Sequence, residues 1–347
     1  VLTARDTVEL KKDGSKLKAK NIIIATGSRP ISIPGLPIDG KDVITAWEAI
    51  LMREVPSPIV IVGAGPIGME FAYIYRSYGA DVTVVEMLPH LLPREDTEVS
   101  VELEKAMQKF GVKFRLNTKV EGAERTGDKV RLKVSSDGKT EEIEAQKVLV
   151  AISVKPNSEN LGLEALGVKT TRGAIDVDPT MKTNVPGLYA IGDVTMKLAL
   201  AHVASAQGVI AAEAIAGKEP RGLDLNNVPR CTYCEPQVAS LGLTEAQAKE
   251  TGREIRIGKF PFRANGKALG INEYDGFVKL VVDKKYGEIL GVHMIGPEVT
   301  DLTGELSLAK SMELTPTEIA HAIHAHPTLT EAVGEAALDA LGEALNI

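Results

Sequence analysis

The sequence predicts an α/β fold: a doubly wound, Rossmann-type domain followed by an α+β domain. Three observations carry that prediction. Ile59-Val60-Ile61-Val62 is an unbroken apolar run that stops at Gly63-Ala64-Gly65-Pro66-Ile67-Gly68, the kind of turn that joins a buried strand to a helix. Up to about residue 156, further apolar runs alternate with amphipathic segments, as parallel strands do with helical crossovers. After Arg221-Gly222 the texture changes to strand candidates that read as antiparallel, interleaved with helices.

Taken in order, residues 8–10 alternate apolar and polar, turn at Asp13-Gly14 and resume through Leu17 into Asn21-Ile-Ile-Ile-Ala25, a hairpin feeding a buried strand. Thr26 to Gly40 is rich in Pro and Gly and reads as an ordered crossover. Strands are expected at 59–62, 81–86, 112–116, 130–134 and 148–152, all in one parallel sheet, with helices over 66–77 and 97–109. A strand over 188–191 and a helix over 200–216 follow. Beyond residue 222 the expected strands are 230–233, 255–261, 277–282 and 289–294, and the helices 244–250, 299–311, 315–321 and 328–345.

A chain of 347 residues implies two or three domains at roughly 100–200 residues each. Its 44% apolar and 25% charged content is that of a soluble globular protein with a sizeable core. A net charge of −7, a pI near 5.6 and 4% aromatic residues exclude a broad nucleic-acid surface and base-stacking platforms. The most apolar stretch, 198–217, holds His202, Gln207 and Glu213 and reads as a buried helix, so no membrane span is expected. Charges at Arg5, Asp6 and Glu9 argue against a secretory or transit peptide. Two cysteines exclude a disulfide scaffold and make cytoplasm the default. The first residue is Val1 rather than Met, as in an excised or incomplete piece.

The glycine-rich turn has the context that a bare GxGxxG match lacks. Gly63 permits the tight turn, Gly65 lets the backbone approach a pyrophosphate, and Gly68 allows close helix–strand packing. Backbone N–H groups and the positive helix end attract phosphate, and Pro66 suits a first helical turn. Glu86 lies 23 residues after Gly63, at the end of the next expected strand. A carboxylate there can accept hydrogen bonds from a ribose 2′-hydroxyl and repels a 2′-phosphate, which favours NAD(H) over NADP(H). The competing reading is a generic glycine-rich strand–helix turn.

Thr26-Gly27-Ser28, Gly63 to Glu70, Leu188-Tyr-Ala-Ile-Gly-Asp193 and His324-Ala-His-Pro-Thr-Leu-Thr-Glu331 stand in the order found in one family. With Phe260 to Gly266 and Ile289 to Pro297 they span nearly the whole chain, which resembles the pyridine nucleotide–disulfide oxidoreductases and, among them, the dihydrolipoamide dehydrogenase branch. The resemblance implies a flavoprotein homodimer that passes electrons from dihydrolipoamide through a redox disulfide and FAD to NAD+. It implies remnants of an FAD domain at 1–41 and 157–221, an NAD domain at 42–156 and an interface domain at 222–347. By the same resemblance, Thr26, Gly27, Ser28, Asp193, Ala199, Leu200, Ala201 and His202 line the flavin, with Asp193 on its ribityl chain. Gly63, Gly65, Pro66, Ile67, Gly68, Glu70, Glu86, Val120 and Ser153 would face NAD. Ser153 departs from the glycine usual there and either crowds NAD or adds a hydroxyl. Taken alone, Gly192-Asp193 is also compatible with a strand-end turn.

His326 is followed five residues later by Glu331. Pro327 favours an extended His326, and Thr328 is placed to cap the helix carrying Glu331. Glu331 would then fix the imidazole tautomer, the arrangement of a base and its orienting carboxylate. Spacing alone fits equally a histidine-rich helix boundary, with His321 and His324 nearby. The resemblance makes His326 and Glu331 the catalytic pair, serving the dithiol of a partner subunit, and leaves His324 shaping the local surface. The substrate implied is a lipoyl-bearing protein or a small dithiol.

The resemblance also has gaps. The family opens with a first glycine-rich turn for FAD and a Cys-x4-Cys pair, and neither is present in this sequence. The expectation is apolar strand edges at 22–24 and 189–191, with FAD binding weak or absent unless a separate piece supplies the phosphate cradle. Cys231 and Cys234 are expected to be structural: along a strand, residues i and i+3 face opposite sides, no helix start follows to stabilise a thiolate, and zinc lacks further ligands. Two alternatives to the dehydrogenase stand: a non-catalytic NAD-binding dimer, and an NADH:acceptor reductase of the same family.

Overall fold

The computed structural model describes residues 1–346. Its described residues divide into two compact units, residues 1–31 with 153–225 and residues 32–152 with 226 onward.

The larger unit is built on a five-stranded parallel sheet. Its order is Val43–Ile44, Lys147–Val150, Ile59–Val62, Val82–Val85 and Lys113–Arg115. Ile59–Val62 is buried along its whole length because both faces are covered. One face meets the helices Pro66–Ser77 and Thr97–Lys109, through Ile59, Ile61, Met69, Ala72, Val99, Leu103 and Met107. Both helices have the bounds their termini dictate: Pro66 opens the first, and Asp96 caps the second by accepting a hydrogen bond from Glu98 N at 3.2 Å.

The opposite face departs from expectation. The 130–134 run belongs to a separate antiparallel sheet of Lys119–Thr126, Lys129–Ser136 and Lys139–Ala145. Val130, Leu132 and Val134 point inward onto Val60, Val62 and Val148. Their period-two alternation is that of a one-sided strand, and Gly127-Asp128 and Asp137-Gly138 are the hairpin turns that close it.

In the same unit a second five-stranded sheet is antiparallel, in the order Arg230–Thr232, Gln237–Gly242, Ile289–Gly296, Phe277–Asp283 and Ile255–Pro261. Gln237–Gly242 and the short helix Gly266–Ile271 carry no clear sequence signal. One sheet face packs on Thr303–Ser311 and Glu331–Leu341. The other sends Val238, Phe277 and Ile295 into the core of the parallel-sheet module, so the two share one interior. The last helix is shorter than expected, ending where Gly342 takes a left-handed conformation at φ 79°.

The smaller unit holds a three-stranded antiparallel meander, Leu2–Ala4, Thr7–Glu9 and Lys16–Lys18. Ile22–Ile24 pairs in parallel with Leu188–Ala190, and Ser28–Pro30 pairs antiparallel with Val154–Pro156. The expected burial of 21–25 is partial: Ile24 is buried, whereas Ile23 is 39% exposed. The helix Ala201–Ile215 completes this unit, with Ile210 and Ala211 against Tyr189.

Candidate active site

The glycine-rich turn is built as its spacing requires. Gly63 has φ 105°, and a Cβ there would come within 2.6 Å of Ala151 O. A Cβ on Gly68 would overlap the Gly63 carbonyl, so the helix can approach its strand only with glycine at both positions. Gly65 differs: its φ is −72° and nothing lies within 4 Å of its Cβ position, so that side opens to a ligand. No side chain caps this helix, which leaves the amides of its first turn, those of Ile67 and Gly68, to an incoming anion. Ile67 is 40% exposed beside them.

Glu86 is buried, and its two oxygens accept Ala64 N–H at 2.7 Å and Leu88 N–H at 2.9 Å. Its carboxylate is thus anchored to the glycine loop itself, a contact that the 23-residue spacing did not reveal. Glu70 Oε1 accepts Tyr233 N–H at 2.9 Å, and burial raises its pKa against that hydrogen bond. Val120 lies in the core with Val62 and Val85.

In the smaller unit, Ser28 Oγ donates to Asp193 Oδ2 at 2.7 Å, and Thr26 Oγ1 donates to Asn157 O. Asp193 Oδ1 accepts no hydrogen bond among the described residues, so one carboxylate oxygen stays available to a polyol hydroxyl. Gly192 N donates to Gln207 Oε1 at 2.6 Å. Gln207 is buried on an apolar helix, and a buried amide there is the signal that could have marked it as the support of this turn. Gly27 has φ 70° with open space at its Cβ position. Ala199 and Leu200 lead into the helix that Ala201 and His202 begin, and no side chain caps its start. Ser153 is exposed, with its carbonyl accepting Ile31 N–H.

His326 and Glu331 are brought together. Nδ1 lies 2.9 Å from Glu331 Oε1, and Glu331 Oε2 accepts Thr328 N–H at 2.8 Å. That backbone hydrogen bond, with help from His326 and against partial burial, lowers the Glu331 pKa. With Glu331 ionised, Nδ1 carries the proton and Nε2 presents its lone pair, on a side chain 78% exposed. Thr328 does not cap the helix: Thr330 occupies the cap position, and Thr328 Oγ1 donates to Ala325 O at 2.6 Å. His324 is also turned inward rather than outward, its Nε2 3.0 Å from Glu305 Oε1. Glu305 was missed because nothing local links it to a histidine 19 residues on.

Cys231 and Cys234 are both free thiols. Burial pushes Cys234 up to about 12, and its Sγ donates to Pro236 O at 3.4 Å. Burial also raises Cys231. Neither is a ready thiolate. Among the described residues no helix is long and apolar enough to cross a membrane.

A glycine turn with free helix-start amides and a histidine–carboxylate pair are compatible with a nucleotide-dependent oxidoreductase, the class that the comparisons show. Residues 1–208 match the pyridine nucleotide–disulphide oxidoreductase family and residues 228–337 its dimerisation domain; the chain belongs to this family. It is 52% identical to dihydrolipoyl dehydrogenase of Mycobacterium leprae over 95% of its own length and 71% of that protein. With dihydrolipoyl dehydrogenase of Bacillus subtilis it shares 48% over 96% and 71%. The structure of LpdA from Mycobacterium tuberculosis superposes with a TM-score of 0.87 at 30% identity, covering 95% of this chain and 72% of that one. The flavoprotein disulfide reductase RclA of Escherichia coli does so at 0.87 and 25%, covering 95% and 75%. The chain is therefore a flavin-dependent pyridine nucleotide–disulfide oxidoreductase of dihydrolipoyl dehydrogenase type.

Proposed function

We propose that the protein oxidises dihydrolipoamide, free or on a lipoyl-bearing protein, with NAD+ as acceptor. The pair His326–Glu331 carries this reading. Oxidising a dithiol to a disulfide releases two electrons and two protons, and the exposed Nε2 lone pair of His326 is placed to take a thiol proton. Glu331 holds the ring in that tautomer and stabilises the imidazolium that forms. An FAD held by Thr26, Gly27, Ser28 and Asp193 would supply a two-electron relay between a redox disulfide and NAD+, which would take up the electron pair with one proton as NADH while the second proton is released. Cys231 and Cys234 are not that disulfide.

In this reading Gly63, Gly65, Pro66, Ile67 and Gly68 receive the NAD pyrophosphate, and Glu86 the adenosine ribose, where its charge opposes a 2′-phosphate. Ser153 is proposed to border the nicotinamide half. Thr26, Gly27, Ser28 and Asp193 take flavin hydroxyls, and Ala199, Leu200, Ala201 and His202 border the flavin. The division into FAD, NAD and interface domains, and a homodimer joined through residues 222–347, belong to the same proposal. The test is His326→Gln: kcat for dihydrolipoamide oxidation falls about 10²-fold or more, while NADH affinity is unchanged. Undiminished turnover refutes the assignment.

A further inference from the structure

The loop between the helices Pro316–His321 and Glu331–Leu341 carries His326, whose ring is mostly solvent-exposed and held by one side chain, Glu331. A general base needs its lone pair placed to a fraction of an ångström, and one contact at the ring does not position the backbone beneath it. Two residues earlier, His324 is anchored from two directions. Its Nε2 meets Glu305 Oε1 of the helix Thr303–Ser311 at 3.0 Å. Its ring lies against Gly334, where a Cβ would come within 2.9 Å of Nδ1 and 3.1 Å of Cε1.

Gly334 sits in the interior of the helix Glu331–Leu341, and its backbone has no positive φ to explain a glycine. Glycine weakens a helix interior relative to alanine. What it provides here is a seat for the His324 ring, three residues beyond Glu331. Seat and carboxylate are thus on one rigid helix, so the fit of His324 fixes how far His326 stands from Glu331.

We propose that His324 and Glu305 are positioning residues: the pair clamps the loop against two helices so that His326 meets Glu331. This rests on the acid–base reading of His326. At this contact His324 Nε2 is the donor and the Glu305 carboxylate the acceptor. Thr328 completes the clamp, its hydroxyl closing onto Ala325 O and its N–H onto Glu331.

The test uses the full chain with ¹⁵N-labelled histidine. The His326 Nδ1–H resonance, assigned by its loss in His326→Gln, is sheltered from exchange by Glu331. His324→Ala and Gly334→Ala are expected to broaden or erase it. They should lower kcat for dithiol oxidation about tenfold to a hundredfold, with KM and NADH binding little changed. His324→Gln, whose amide still donates to Glu305, recovers most of both. If His324→Ala does not fold, Glu305→Ala at the less buried end of the contact carries the same two readouts. An unchanged resonance and unchanged kcat in a folded variant overturn the proposal. A resonance that responds while kcat ignores His326→Gln keeps the clamp and removes the acid–base reading.

Discussion

Lys279 and Asp96 form an ion pair at 3.0 Å in which both side chains are closed to solvent, at 1% and 4% exposure. Asp96 caps the helix Thr97–Lys109 of the parallel-sheet module, and Lys279 lies in the fully buried strand Phe277–Asp283 of the antiparallel sheet. Glu245 adds a second carboxylate at 2.6 Å from the ammonium and gives its own N–H to Asp96 Oδ2 at 3.0 Å. Cross-strand from Lys279, His293 is fully buried, bonds Leu243 O at 2.9 Å, and is pushed toward its neutral form by burial. One buried ammonium thus bridges carboxylates of the parallel-sheet module and of the segment that precedes its own strand, which holds module and sheet in one geometry.

Removing one partner of a buried pair strands the other. Lys279→Met is expected to destabilise the larger unit by about 3–5 kcal/mol, because the buried Asp96 loses its cation and Glu245 keeps only the exposed Lys249. Urea unfolding followed by tryptophan fluorescence and circular dichroism measures this. A shift below 1 kcal/mol (on the order of an exposed pair) contradicts the burial argument.

Glu235 supplies a pH dependence of definite sign. Burial, with Glu273 and Glu298 nearby, raises its pKa from 4.5 to about 7. A folded value above the unfolded one means the contribution is fully present below pH 4.5 and is lost as pH rises through about 7. Glu235→Gln should therefore match wild type near pH 4.5 and be more stable at pH 8. Because the carboxyl is only half-buried, solvent screening limits the gain to the order of 1 kcal/mol. Urea midpoints at the two pH values decide it; a difference that does not grow with pH counts against it.

Gly65 and Gly68 are expected to respond differently to alanine. A methyl at 68 overlaps the Gly63 carbonyl, so Gly68→Ala should cost about 1–3 kcal/mol of stability and weaken NADH binding. At 65 the methyl enters open space, so the fold is unaffected while NADH affinity falls about tenfold, or ~1.4 kcal/mol. Calorimetric titration with NADH, alongside thermal melts, separates the two. Equal melting losses in both variants would falsify the distinction.

The two thiols should be dispensable for chemistry. Cys234 is held protonated by burial, so it should resist alkylation at pH 8 in the native protein and react only on unfolding. A Cys231→Ser, Cys234→Ala variant is expected to oxidise dihydrolipoamide at the wild-type rate in the flavin-loaded enzyme. A large loss of kcat, with the fold intact, would assign these cysteines a redox role.

Much of this was legible residue by residue. The helices 66–77 and 97–109 could be bounded from sequence because their start signals, Gly65-Pro66 and Asp96, act within a single turn. Ile255–Pro261 was readable from its own alternation. Gln237–Gly242 was not, since its sequence, QVASLG, lacks a strong pattern and its pairing comes from Ile289–Gly296, some 50 residues on. The strand over 130–134 was found but put in the wrong sheet, because periodicity reports which face is buried and leaves the partner unnamed. At the site, the glycine turn and the His326–Glu331 spacing were visible. The Glu86 anchor at Ala64 and the Glu305 contact with His324 were invisible, and of the Gln207 support of Gly192 only the polar residue on an apolar helix showed.

Sequence by itself determined the turn chemistry, the starts of the helices at 66 and 97, the family and the His326–Glu331 spacing, because each is written in short motifs whose groups lie within a few residues of one another. Tertiary structure alone decided that Lys279 is an interior cation rather than a surface one, and that His324 faces inward onto Glu305 and Gly334. Those outcomes depend on which distant segments pack together, and the free energy of a buried charge or ring is set by what surrounds it.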